Sequence, residues 1–284
     1  MTSVLSPKVA RGVYDPAKGA QYMVRELLLP SLANSFDDLH AAARDADLLV
    51  THTLSYAGHL LGRNLPITWV STVLSPMVFM SGYDPPPLPP APWLQSLYRL
   101  NPSFYRLVFS GLKAWARGWS APVRRFCKEH GLPEPAQDPL FEGQFSPRMH
   151  DVGDVLSIAG AGSARLAVQH TSHRIPPHSY VFPRAAAVIH HGGIGTLGQA
   201  MHAGRPMLVV PFSHDQPDNA QRVERMGIGK RIPRAKFSVS SAEAALRELL
   251  EDGRYAVNAT EIARRLREED GVAAACDRLE SVLG

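Results

Sequence analysis

Two cysteines in 284 residues, Cys127 and Cys276, are too few for a disulfide framework. Their scarcity fits a reducing compartment. Blocks of Lys and Arg are also missing. The 30 cations are scattered and nearly matched by 26 acids, leaving a net charge of +4. That excess favours anionic ligands only weakly, and nucleic acid is not an expected partner. Long apolar runs are absent too. The longest uncharged stretch, 64–83, approaches bilayer-spanning length, but Pro66 and Pro76 break it and its serines and threonines keep it polar. Residues 1–10 lack the apolar core of a secretion signal. At 45% hydrophobic and 20% charged, the chain reads as globular and cytoplasmic, with no integral membrane segment.

Metal-ligand clusters do not occur either. His190 and His191 are adjacent, so at a strand end they point to opposite sides, and no cysteine or carboxylate group completes a site. Asp45-Ala46-Asp47 precedes a strand and reads as solvated strand-entry charge. No metal is expected. Gly193-Ile194-Gly195-Thr196-Leu197-Gly198 has the Gly-x-Gly-x-x-Gly order, but it sits deep in the chain rather than after a first strand, which argues against a dinucleotide loop.

What stands out is His190-His191-Gly192-Gly193-Ile194-Gly195-Thr196. It follows the apolar run 185–189, which reads as a buried strand, and precedes 197–203, which reads as a helix closed by Gly204. A strand, a glycine loop and a helix N-terminus make a diphosphate site. Glycines let the backbone approach the anion, and the N–H groups of the first helical turn point at it. The unit then repeats, with 206–212 a strand, 213–219 a polar loop and 220–226 a helix ended by Gly227. Two such loops at one sheet edge can hold a single ligand.

The first half shows the same alternation. Residues 21–43 read as helical, with Leu27, Leu28, Leu29, Leu32, Phe36 and Leu39 on an apolar stripe interrupted at Pro30. Residues 48–50 and 67–70 read as strands, with a helix at 56–61 between them and Gly62 near its end. The proline-dense stretch 84–92 is neither helix nor central strand, and reads equally as a wall over an acceptor site or as a stiff connector. Residues 97–130 read as a long helical region broken near Pro102 and Pro122. Phe104, Tyr105, Phe109, Trp115 and Trp119 lie there among Arg and Lys. Packing of these aromatics into the core is the preferred reading; the second is a weak peripheral contact with a membrane. Residues 241–283 read as two helices.

The motifs of residues 177–232 resemble the nucleotide-sugar signature of family-one glycosyltransferases with the GT-B fold. The resemblance rests on Pro177-His178-Ser179, Phe182-Pro183, the 191–196 loop, Ala203-Gly204-Arg205-Pro206, and Pro211 through Asp215-Gln216 to Asn219. It implies an α/β protein of two Rossmann-like domains, here 1–147 for the acceptor and 148–284 for the nucleotide sugar. His191, Gly192, Gly193, Gly195 and Thr196 would hold the donor diphosphate. Asp215 and Gln216 would bind hydroxyls of the transferred sugar. Gln199 stands where the family often has a ribose-binding Glu, so UDP and dTDP both remain open. The implied reaction moves a hexose, with inversion, to a hydroxyl of a small lipophilic acceptor, without metal or other cofactor. Alternatives are a non-catalytic nucleotide-sugar binder and a sugar-nucleotide epimerase of the same fold.

Two departures bear on catalysis. The family opens with a strand and a glycine-histidine loop whose histidine is the usual general base. No counterpart is found here, so the catalytic residue is unknown and the N-terminal domain reads as incomplete. The stretch 157–163 also fits the family poorly, and a deletion or altered frame near His150 would account for it. His52 is a weak substitute base, with a solvated or structural role preferred.

Overall fold

The computed structural model describes residues 6–15, 18–88, 101–146 and 178–283. These fall into two compact units, one within Met1–Val152 together with Asp277–Gly284 and one within Gly153–Cys276. The stretch 157–163, Pro177, the junction at 147/148 and the proline run beyond Leu88 lie outside the described residues.

In the first unit, α1 (Pro7–Val13) and α2 (Gly19–Tyr22) lead into a π-wound segment, Met23–Leu28, a 3-10 turn, Leu29–Ser31, and α3 (Leu32–Ala42). Pro30 has no N–H and crowds the preceding turn, so the helix is rewound there without being ended. Strand β1 (Leu48–His52), helix α4 (Tyr56–Asn64) and strand β2 (Thr68–Thr72) form a β-α-β unit whose strands pair in parallel, Leu48 opposite Thr68 and His52 opposite Thr72. Leu32 and Phe36 of α3, Leu60 and Leu61 of α4, and Val123 and Phe126 share one core. Leu61 is fully buried, so its truncation to Ala would cost about 2–5 kcal/mol.

Helix α5 (Pro102–Ala116) starts at Asn101, whose side chain accepts from the Ser103 N–H at 2.8 Å, with Pro102 in the first turn. After a 3-10 turn comes α6 (Ala121–Glu129), with Pro122 again in a first turn. Only part of the aromatic set is in the core. Tyr105 and Phe109 are buried, whereas Phe104 and Trp115 face outward. The preferred reading of that set is corrected accordingly: the helix has one packed face and a second apolar face left over. Two contacts tie later residues back to the β-α-β unit. Arg63 donates to the Gly143 carbonyl at 2.9 Å, and Ser71 and Ser146 bond each other reciprocally, each backbone N–H donating to the other's hydroxyl at 3.2 and 2.9 Å.

In the second unit, α7 (His178–Val181) precedes β3 (Val188–His190), α8 (Ile194–His202), β4 (Met207–Val209), α9 (Gln216–Arg225) and β5 (Gly229–Arg231). The sheet order is β3-β4-β5, all parallel, with Ile189 opposite Leu208 and Leu208 opposite Lys230. Met207, Leu208 and Val209 are fully enclosed, as expected of a central parallel strand covered on both faces. Leu197 and Ala200 of α8, Ala220 and Val223 of α9, and Ala259 pack around it.

Gly204 and Gly227 sit at φ +66° and +64°, just past the helices they close, as the sequence predicts. Two expectations are corrected. Helix α9 begins at Gln216, not at 220, because Pro217 suits a first turn, where its missing N–H costs nothing. The C-terminal stretch holds three helices, α10 (Val239–Glu251), α11 (Gly253–Glu268) and α12 (Gly271–Leu283). Asp252 ends α10 in an extended conformation and caps α11 by accepting from the Arg254 N–H at 3.1 Å.

Candidate functional site

Because β3, β4 and β5 run in parallel, the loops that follow them emerge at one sheet edge, the usual ligand edge of such sheets. Strand β3 alternates in burial, with Val188 and His190 inward and Ile189 outward. His191 therefore begins the loop on the exposed side. The chain then turns at Gly192, with φ +89°, where a Cβ would stand 2.8 Å from Val209 Cγ1 and 3.2 Å from the Gln216 carbonyl oxygen. Only glycine meets both demands.

Gly193 is the N-cap of α8, and it has no side chain to satisfy the N–H groups beyond it. The first intrahelical bond runs from the Leu197 N–H to the Gly193 carbonyl at 2.9 Å. The N–H groups of Ile194, Gly195 and Thr196 thus belong to a first turn that has no acceptor within the helix. The His191 ring lies over Gly193, with Nε2 only 2.6 Å from where a Cβ would be. A Cβ on Gly195 would meet nothing within 4 Å. Imidazole, backbone amides, positive helix end and open approach thus converge, an arrangement suited to a diphosphate.

His190 holds this loop from behind. It is 8% exposed, and its Nδ1 accepts from the Gly192 N–H at 3.0 Å. The neutral ring must then carry its proton on Nε2, which is buried without a partner among the described residues. Burial, then the neighbouring His191 and His178, lower its pKa to about 4. The alternating burial of 188–190 was the available signal for an inward role.

The second loop is fastened to the first. Asn219, 2% exposed, donates from Nδ2 to the Gly192 carbonyl at 2.9 Å and to Asp215 Oδ2 at 2.8 Å. Gln216 is also turned inward. Its Oε1 accepts from the Phe212 and Ser213 N–H groups at 2.8 and 3.2 Å. Between them His214 adopts φ +58°, a left-handed conformation costly for a residue with a Cβ. Arg234, following β5, places its guanidinium 4.8 Å from the Phe212 ring centre. Gln199 and Thr196 lie on α8, half-buried. The structure therefore gathers His191, Gly192, Gly193, Gly195 and Thr196 on one loop and helix start. It places Asp215 beside them through Asn219, and uses Gln216 Oε1 to shape its own loop. The 213–219 motif offered no sign that Asn219 would be the tie.

In the first unit, each histidine near β1 makes a local hydrogen bond. His52 Nδ1 accepts from the Leu54 N–H at 3.2 Å, so its neutral ring is protonated on Nε2. His59 is 2% exposed, hydrogen-bonded to the His52 carbonyl at 3.0 Å, with its pKa lowered to about 4, first by burial.

Residues 165–276 match the family described as erythromycin biosynthesis protein CIII-like, C-terminal domain. Sequence relatives include a sterol 3-beta-glucosyltransferase of Arabidopsis thaliana, 41% identical over 35% of this chain and 16% of that protein. Another is O-mycaminosyltylonolide 6-deoxyallosyltransferase of Streptomyces fradiae, 38% identical over 38% of this chain and 26% of that protein. The matched stretch thus spans under a third of either relative. Among solved structures, the glycotransferase of kitacinnamycin aligns with a TM-score of 0.61 at 19% identity, covering 93% of this chain and 83% of its own. The spinosyn rhamnosyltransferase complexed with thymidine diphosphate aligns at 0.56 and 17% identity, covering 96% and 85%. The structural likenesses show the α/β fold of GT-B type, and the sequence likenesses are confined to the C-terminal stretch. Among the described residues, no helix is long and apolar enough to cross a membrane.

Proposed function

We propose that this chain transfers a hexose from a UDP- or dTDP-activated donor to a hydroxyl of a small lipophilic acceptor, with inversion at the anomeric carbon. The observation that carries the reading is the open first turn of α8, behind Gly193 and beneath the His191 ring. In one displacement the acceptor oxygen bonds to the anomeric carbon as the bond to the diphosphate breaks on the opposite face. The acceptor proton passes to a base, and negative charge grows on the departing diphosphate. Fixed N–H dipoles and an imidazole N–H placed there are already oriented toward that charge, so they stabilise it without reorganising. Asp215, held by Asn219, is the carboxylate available to sugar hydroxyls. An amide at Gln199 leaves both nucleotides in play for the ribose.

The test is titration of the full chain with UDP and dTDP, followed by incubation with a labelled nucleotide sugar and a phenolic acceptor. Saturable binding of one nucleotide and label on the acceptor are expected. No binding of either would overturn the reading.

A second reading, a nucleotide-sugar binder without turnover, is favoured by the two histidines near β1. His52 spends its Nδ1 lone pair on the Leu54 N–H, and His59 is enclosed. Binding with no labelled product would select it, while conversion of the donor with no acceptor present would select an epimerase.

A further inference from the structure

We propose that the outward face of α5 seats this protein on an anionic phospholipid surface. Helix α5 is amphipathic twice over. Tyr105 and Phe109 are packed inward. On the other side Phe104, Leu107 and Trp115 are 38%, 72% and 65% exposed. At about 100° per residue these three fall, with Gly111 between them, within one narrow arc of the helix. A Cβ on Gly111 would meet nothing within 4 Å, so that arc is open along its middle. Trp115 leans edge-on against Trp119 at 5.0 Å, extending the apolar strip past the helix end.

Charge indicates what the strip meets. The sequence contains no acid from 85 to 128, yet seven cations fall in that interval; Lys113 and Arg124 pair with Glu142 and Asp138. Arg106 is exposed about 100° round the helix from Leu107, Arg117 is exposed just past the helix end, and Arg125 and Lys128 are exposed on α6. A purely apolar partner would not call for such one-sided charge. An anionic lipid surface accepts both parts. Indole, phenyl and leucyl groups enter the headgroup–acyl boundary while guanidinium and ammonium groups stay among the phosphates. No membrane-crossing helix is needed. The proposal is independent of nucleotide binding in the second unit.

The test is co-sedimentation of the full chain with vesicles of phosphatidylcholine alone and of phosphatidylcholine mixed with phosphatidylglycerol. Binding to the mixed vesicles is expected, weakening as salt rises. The double variant Leu107→Ser/Trp115→Ser removes only exposed side chains and should lower the partition coefficient by about tenfold or more. Val239→Ser/Leu250→Ser, which alters another exposed apolar patch, should leave it unchanged. Absence of vesicle binding, equal binding to neutral vesicles, or equal loss in both double variants would overturn the proposal. So would a dimer in sedimentation velocity that Leu107→Ser/Trp115→Ser dissociates while vesicle binding persists unaltered, since the face would then join two copies of the chain.

Discussion

Asn219 Nδ2 donates to the Gly192 carbonyl at 2.9 Å, so the first turn of α9 holds the glycine loop before α8 in place. The pair is buried. Asn219→Ala should destabilise the second unit by about 1–3 kcal/mol, the cost of leaving a buried carbonyl unpaired. The same change frees Asp215 from its 2.8 Å bond. Urea denaturation of the variant should show an earlier midpoint, and nucleotide titration a weaker complex.

Two glycines of the loop should respond differently to the same added methyl. Gly192→Ala combines a left-handed backbone with a Cβ 2.8 Å from Val209 Cγ1, so a loss of about 2–4 kcal/mol is expected. Gly195→Ala has room and should keep, or slightly raise, stability. Its methyl would stand in the anion's approach, so nucleotide affinity should fall. Thermal unfolding and calorimetric titration of both variants separate the two effects.

His191→Ala should leave the fold intact, because the ring is exposed and lies over Gly193 without filling the core. Loss of a hydrogen bond to a charged phosphate would weaken nucleotide binding by about 1.5–3 kcal/mol, or roughly ten- to a hundredfold. Unchanged titration by UDP and dTDP would remove His191 from the donor site.

Acid should destabilise the protein before its carboxylates titrate. His190 and His59 are buried neutral with pKa values of about 4, against an ordinary 6.5. Between those values the unfolded chain binds more protons than the folded one, so stability rises with pH there and is lost as pH falls from 6.5 toward 4. Each histidine contributes on the order of 3 kcal/mol across that window. Urea midpoints measured from pH 7 to pH 4 should fall, and His190→Asn should flatten the slope of the second unit.

The sequence displayed those parts of the site that backbone geometry dictates. Gly192, Gly204 and Gly227 each stand where φ is positive, so their positions in the chain were already statements about turns. Strands β1, β2, β3 and β4 were visible as apolar runs, although β3 and β4 are shorter than the runs suggest, since the runs extend into loops. The start of α9 was hidden by the polar residues 213–219, which suit a loop and a helical first turn equally. The inward turn of Gln216 was hidden because an amide looks the same whether it faces a ligand or its own backbone. The exposure of Trp115 could not be read from composition, since one helix can carry two apolar faces.

The mutual bonds of Ser71 and Ser146 have a further effect. The Ser71 N–H lies on β2, and the Ser146 hydroxyl occupies it at 3.2 Å. That donor is no longer offered to an incoming strand from a neighbouring molecule, and the returning chain stands in the way of one. A pair of hydroxyls thereby withdraws one ladder donor of β2 from such pairing.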